Sequence, residues 1–119
     1  MSKQAYEIIA KIREVDELMT PELQTWVFEV HPEVSFHTLN GRQSLKHSKH
    51  ERNGKDERMQ LLLPHYSEIQ KQLADLGRAS VGEDGLLDAA VAAWTAECVA
   101  RGEVAREYDK RGLRMEIVF

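Results

Sequence analysis

The chain has few of the residues that mark specialised chemistry. Cys98 is its one cysteine, which excludes an intrachain disulfide, a CxxC redox pair and a cysteine-rich zinc site. It lies in an apolar, alanine-rich stretch, where a thiol acts as a small buried hydrophobe rather than a nucleophile. No apolar run approaches the roughly 18 residues of a membrane span, so no membrane association is expected. The start, Met1-Ser2-Lys3-Gln4, carries acids within its first turns and has no apolar core region. That excludes a signal peptide and makes a cytoplasmic protein the expectation. Three prolines and seven glycines among 119 residues leave no collagen-like or low-complexity bias. Glycine-rich phosphate loops, the GxSxG elbow, the dinucleotide fingerprint, HExxH and Cys/His finger spacings are all missing. These absences remove the common nucleotide-binding, serine-hydrolase and zinc-site classes.

What remains is an ordinary globular composition, 42% hydrophobic and 30% charged, with length for one compact domain over residues 1–119. The net charge of −4 hides an asymmetry. Between Arg42 and Arg58 six Lys or Arg face only three acids, a surplus of three positive charges, so the remainder carries −7. Such segregation serves a local phosphate contact on an acidic protein, and it equally describes a solvated loop.

Residues 3–19 read as an amphipathic helix, with Ala5, Ile8, Ile9, Ile12, Val15 and Met19 on one face. Thr20-Pro21 closes it. Thr25 to Val30 is short, β-branched and aromatic, and apolar on both faces apart from Glu29, the pattern of a strand covered on both sides. Pro32 ends it, and a short helix follows over 33–39. Residues 41–55 read as an exposed polar loop. Asp56 is placed to cap a helix through Leu63, which Pro64 ends or kinks. Tyr66, Ile69, Leu73 and Leu76 continue a helical stripe. A break over 77–82, with a short strand near 79–81, leads to the clearest helix, Asp84 to Arg101, expected to be buried on most sides. A strand over 114–119 closes the chain. Helices covering a few strands make an α/β class the expectation.

Glu29 is the first anomaly. It sits near the C-terminal end of a buried-looking strand, where open α/β sheets place ligands. An ionised carboxylate there needs a metal or a counter-charge, or else a route to solvent. Asp84 and Asp88 are four apart and share a helix face. Asp84 suits a cap and the helix dipole, whereas Asp88 falls where the helix has turned apolar. Two such carboxylates meeting a third from a strand would suit Mg²⁺ or Mn²⁺, which prefer oxygen ligands. His31 shares the side of Glu29 if the strand continues that far, as a phosphate contact or a group behind the ligands. His47 and His50 lie in the basic loop, where histidines are usually solvated.

The blocks Glu29-Val30-His31-Pro32-Glu33, Asn40-Gly41, Lys49, Gly54, Arg58 and Leu61-Leu62, followed by Leu86-Leu87-Asp88-Ala89-Ala90 running into Ala93-Trp94-Thr95-Ala96, resemble an uncharacterised family of predicted RNase H-like nucleases. Ser2-Lys3-Gln4-Ala5, residues 11–16 and residues 111–117 are also similar to that family, so the resemblance covers nearly the whole chain. It implies the C-terminal portion of an RNase H-like fold, with the N-terminal strands missing. It also implies phosphodiester hydrolysis by bound divalent ions. Carried over, Glu29 is the strand carboxylate and Asp84 and Asp88 are the helix ligands, catalytic groups and metal ligands at once for Mg²⁺ or Mn²⁺. Lys49, Arg58 and His31 are the expected nucleic-acid contacts. Family members begin with a further segment bearing a central catalytic aspartate, which this chain does not match, so it is expected to be incomplete and weakly active or inactive. An apolar strand edge left uncovered invites pairing with another chain. The alternative is therefore a non-catalytic module that binds itself or a partner, with a homo-oligomer formed through that edge or the apolar faces beside it.

Overall fold

The computed structural model describes residues 2–76, 82–103 and 117–118. The helices are α1 (Lys3–Leu18), α2 (Pro32–Leu39), α3 (Arg52–Leu62), α4 (Ile69–Leu76) and α5 (Glu83–Ala100); the strands are β1 (Glu29–Val30) and β2 (Ile117–Val118). The two strands pair in parallel, Glu29 with Ile117 and Val30 with Val118. This corrects the expected α/β class. Among the described residues the protein is mostly helical, and β structure is reduced to this short contact, so the RNase H-like sheet is not formed.

The strand expected over 25–30 is cut back to Glu29–Val30 by local hydrogen bonding at its start. After Thr20-Pro21 the chain winds into a 3₁₀ turn, Leu23–Thr25. Thr20 Oγ1 accepts from the Leu23 N–H at 3.2 Å. The Trp26 and Val27 N–H groups then donate back to the Leu23 carbonyl at 3.1 and 2.8 Å. Donors committed to a turn cannot serve a ladder, and the β-branched and aromatic side chains do not override that. Glu29, expected in a strand covered on both sides, is exposed.

The helices end where their caps dictate. Ser2 caps α1, its hydroxyl accepting from the Ala5 N–H at 3.2 Å. Pro32 occupies the first turn of α2, behind an extended His31. α5 closes with Glu103 N–H on the Cys98 carbonyl and Gly102 N–H on that of Val99, Gly102 taking φ +72°. That is the paired-bond termination for which glycine is suited. Two starts differ from expectation. α3 begins at Arg52 rather than at an Asp56 cap, and α5 begins one residue before Asp84, with Gly82 in the capping position. The expected strand near 79–81 and most of that over 114–119 lie outside the described residues.

α2, α3 and α4 pack on α5. Phe36 from α2, Met59 and Leu62 from α3, Ile69 from α4, and Leu87 and Val91 from α5 form the core. α5 is buried along one face only, through Leu87, Val91, Thr95 and Cys98, while Ala89, Ala93 and Ala96 are exposed. Cys98 is a free, buried thiol. Thr95 Oγ1 lies 2.9 Å from Ser35 Oγ and 3.0 Å from the Val91 carbonyl, tying α5 to α2 inside the core. No described helix is long and apolar enough to cross a membrane.

α1 contributes nothing to this core. Its stripe forms as the spacing predicts and faces outward instead. Phe36, fully buried, is the side chain on which the core closes. Phe36→Ala should destabilise by about 3–5 kcal/mol, the usual cost of an aromatic cavity, whereas Ile9→Ala on α1 should stay within about 0.5 kcal/mol. Urea denaturation of both variants reads the contrast directly.

Candidate functional site

Two surfaces qualify as candidate sites. The first is built by the polar segment 41–51 against α3 and the start of α5. Its anchor is Arg58, whose side chain is 4% exposed. Nε and Nη2 meet Glu33 Oε1 and Oε2 at 3.0 and 2.6 Å, a two-pronged pair from α3 to α2. Nη1 donates to the Gly54 carbonyl at 2.8 Å and the His47 carbonyl at 3.2 Å. The guanidinium carbon also stands 5.6 Å from the Phe36 ring centre. The charge is therefore buried with its donors engaged, the condition under which such burial is tolerated.

Gly54 lets the segment approach. A Cβ there would stand 1.8 Å from the Ser48 carbonyl oxygen and 3.2 Å from Arg58 Nη1. Only glycine admits that contact without moving the backbone. Glu57 fastens the same segment, its carboxylate accepting from the Lys46 N–H at 2.9 and 3.2 Å and the His47 N–H at 3.1 Å. Those backbone bonds, that of Lys46 foremost, hold the Glu57 carboxyl below its usual range against an opposing effect of burial.

Lys49 of the segment and Arg52 and Lys55 at the start of α3 face acids on α3 and α5. Lys49 Nζ lies 3.8 Å from Asp88 Oδ2. Lys55 Nζ lies 3.3 Å from Asp84 Oδ1 and 3.6 Å from Glu83 Oε2. Arg52 is 3.4 Å from Asp56 and 3.9 Å from Glu83. Asp84 Oδ1 is shut off from solvent and makes no hydrogen bond. Lys55 is thus an electrostatic partner for it, without hydrogen-bond geometry. Exposed pairs of this kind contribute about 0–1 kcal/mol each, so they orient the segment more than they stabilise it.

The expected site residues are therefore dispersed among ion pairs. Lys49 and Asp88 come together, as do Asp84 and Lys55, and Arg58 is engaged by Glu33. Glu29 stands exposed on β1, and His31 is exposed at the start of α2. Among the described residues no group of three or more His, Cys, Asp or Glu side chains is placed to hold a metal ion. The carboxylates as arranged do not fit the Mg²⁺ or Mn²⁺ that the resemblance implies. An open hollow of ≈ 490 Å³ lies over the segment, lined among others by Glu33, His37, Lys46, His47 and Lys49. Of the cations lining it, Arg58 is held by Glu33 and Lys49 faces Asp88, while Lys46 has no ion pair among the described residues. Sequence reasoning passed over Glu57 and the local role of Gly54, since neither a carboxylate that caps a loop eleven residues back nor a close approach has a spacing signature.

The second surface is α1. Tyr6, Ile8, Ile9, Ile12, Val15 and Leu18 are 43–72% exposed, and Trp26 beyond the helix is 66% exposed. Between α1 and residues 24–29 runs a groove of ≈ 660 Å³, walled by Ile8, Ile12, Val15 and Met19 on one side and Val27 and Phe28 on the other. Soluble monomers rarely leave such a contiguous apolar surface open, and patches of this sort mark interaction sites.

The model of a family described as protein of unknown function (DUF429) matches residues 1–112. No curated protein and no solved structure matches the chain significantly. The family description names no activity.

Two outcomes are expected at the first surface. Arg58→Met strands the Glu33 carboxylate and should destabilise by about 3 kcal/mol, the low end for a broken buried pair because Glu33 is partly exposed. A thermal melt at neutral pH checks it. For Glu57 the folded pKa is depressed, so its contribution is present above the ordinary glutamate range and lost as pH falls through the folded value. The stability gap between the wild type and Glu57→Gln should therefore narrow as the pH falls below the ordinary glutamate range. A gap in melting temperature unchanged by acid would refute this assignment.

Proposed function

We propose that this chain, which belongs to the DUF429 family, works as a protein-association module whose docking surface is the apolar face of α1 and the groove beside it. One observation carries the reading: the apolar stripe of α1 is exposed while the core is completed without it. Each of these half-exposed Ile and Val side chains forgoes about 1 kcal/mol of further burial, which a protein partner would supply. The groove supports the same reading, because it is concave and lined mainly by apolar side chains.

Divalent-metal phosphodiester hydrolysis is the competing reading. Its support is the sequence resemblance and the pairing of Asp84 and Asp88 one turn apart on α5, with one Asp84 oxygen buried and without a hydrogen bond. The ion pairs to Lys49 and Lys55 oppose it, since each of the two carboxylates already faces an ammonium group.

One set of thermal melts, at low micromolar protein, tests both. Ile12→Glu combined with Val15→Glu should leave stability within about 1 kcal/mol of the parent, as for substitutions on a face outside the core. A loss as large as that of Phe36→Ala would make the α1 face part of the fold and sink the docking reading. Millimolar Mn²⁺ should leave the melting temperature of the wild type unchanged. A rise that disappears in Asp88→Asn would instead establish metal binding by linkage and favour the hydrolytic reading.

A further inference from the structure

The charge pattern of α1 identifies what covers it, and this step rests on the docking reading above. We infer that the occupant is a second copy of this chain, held by a parallel seam of two α1 helices in which Lys11 of each copy pairs with Asp16 of the other.

The apolar residues of α1 and its cap, Ala5, Ile8, Ile12, Val15 and Met19, alternate spacings of three and four. That is the seam of a two-stranded helical pair, with Ala5, Ile12 and Met19 in one class of layer and Ile8 and Val15 in the other. Lys11 precedes the Ile12 layer and Asp16 follows the Val15 layer, the two flanking positions from which ion pairs cross such a seam. In a parallel, in-register pair a residue at the first flanking position meets the one five places further along the other helix. Lys11 therefore meets Asp16 of the second copy, and the two-fold axis repeats the contact. An antiparallel pair stacking Ile8 on Ile12 would bring the two Lys11 side chains together at the axis, with no acid for either. Charge selects the parallel arrangement.

The structure places the required groups on one surface. Ile8, Lys11, Ile12, Val15, Asp16 and Met19 all line the same groove. The ion pairs among the described residues involve neither Lys11 nor Asp16, so both charges are available to a partner. Residues 24–29 form the opposite wall, so an α1 entering the groove is flanked by the α1 it pairs with and by Val27 and Phe28. The two-fold returns the arrangement, each helix seated in the groove of the other copy. Packing of an amphipathic face adds to the stability a helix has from its own residues. A seam of this kind supplies that packing.

Sedimentation velocity of the full chain from low to high micromolar is the test. A monomer–dimer equilibrium is expected, abolished by Ile12→Glu with Val15→Glu, both checked for native helicity by circular dichroism. Lys11→Glu or Asp16→Lys alone should weaken dimerisation roughly three- to tenfold, as expected for reversing two exposed pairs. The double variant Lys11→Glu/Asp16→Lys should recover the parental affinity. A monomer at every concentration overturns the inference while leaving the docking reading to the melts described above, with a different protein as occupant. A dimer whose charge-swapped double variant is not rescued overturns the parallel seam, as does an assembly larger than a dimer.

Discussion

The buried guanidinium of Arg58 is the constraint around which the rest of the fold is arranged. A cation at that depth is tolerated only with its donors engaged. Satisfying it brings Glu33 of α2, the Gly54 carbonyl of α3 and the His47 carbonyl of the 41–51 segment to one point. Phe36 packs beneath the guanidinium, so the polar cluster and the apolar core share a boundary. Gly54 follows from the same demand, because the segment reaches Arg58 only by crossing α3 at a distance that excludes a side chain.

Electrostatics elsewhere are of the self-neutralising kind. Lys49, Arg52 and Lys55 each find an acid on α3 or α5, and the basic stretch becomes a strap laid across the head of α5. Four of its six cations, Lys49, Arg52, Lys55 and Arg58, meet acids within the fold. This is why a segment with the composition of a phosphate-binding loop keeps less free charge than its composition suggests. It is also why Asp84 and Asp88, well placed on one helix face, meet ammonium groups.

The apolar surface is divided unequally. α2 to α5 close a small core of six buried side chains among the described residues, while the amphipathic α1 remains outside it. An amphipathic helix of this sort and an open groove beside it describe a fold whose remaining burial occurs between molecules. The pair β1–β2 belongs to the same side of the account. Two residues per strand cannot form an independent sheet, and they serve to tie residues 29–30 to the end of the chain.

Much of the local structure was legible in the residues. The extent of α1, α2 and α5 follows from apolar spacing and composition, from Pro32 at a helix start, and from Gly102 at an end. Those signals act within a turn or two. The burial of Cys98 was legible too, from its alanine-rich surroundings. The fold class was not, because Thr25 to Val30 has strand composition while its backbone donors are claimed by a turn that Thr20 caps. Propensity is a weak preference beside a hydrogen bond already made. Nor did amphipathicity tell whether the α1 stripe faces a core or another molecule, since periodicity shows that a face exists and not what meets it. The partners of Asp84, Asp88, Lys49 and Arg58 were equally hidden. Each pair joins residues 25 to 39 positions apart, and only the packing of α2, α3 and the 41–51 segment against α5 brings such distant charges within reach. The sequence by itself determined where most of the helices lie, through interactions that are local. The tertiary structure alone decided which charges neutralise one another and which apolar face stays open, because both depend on what the fold places opposite each side chain.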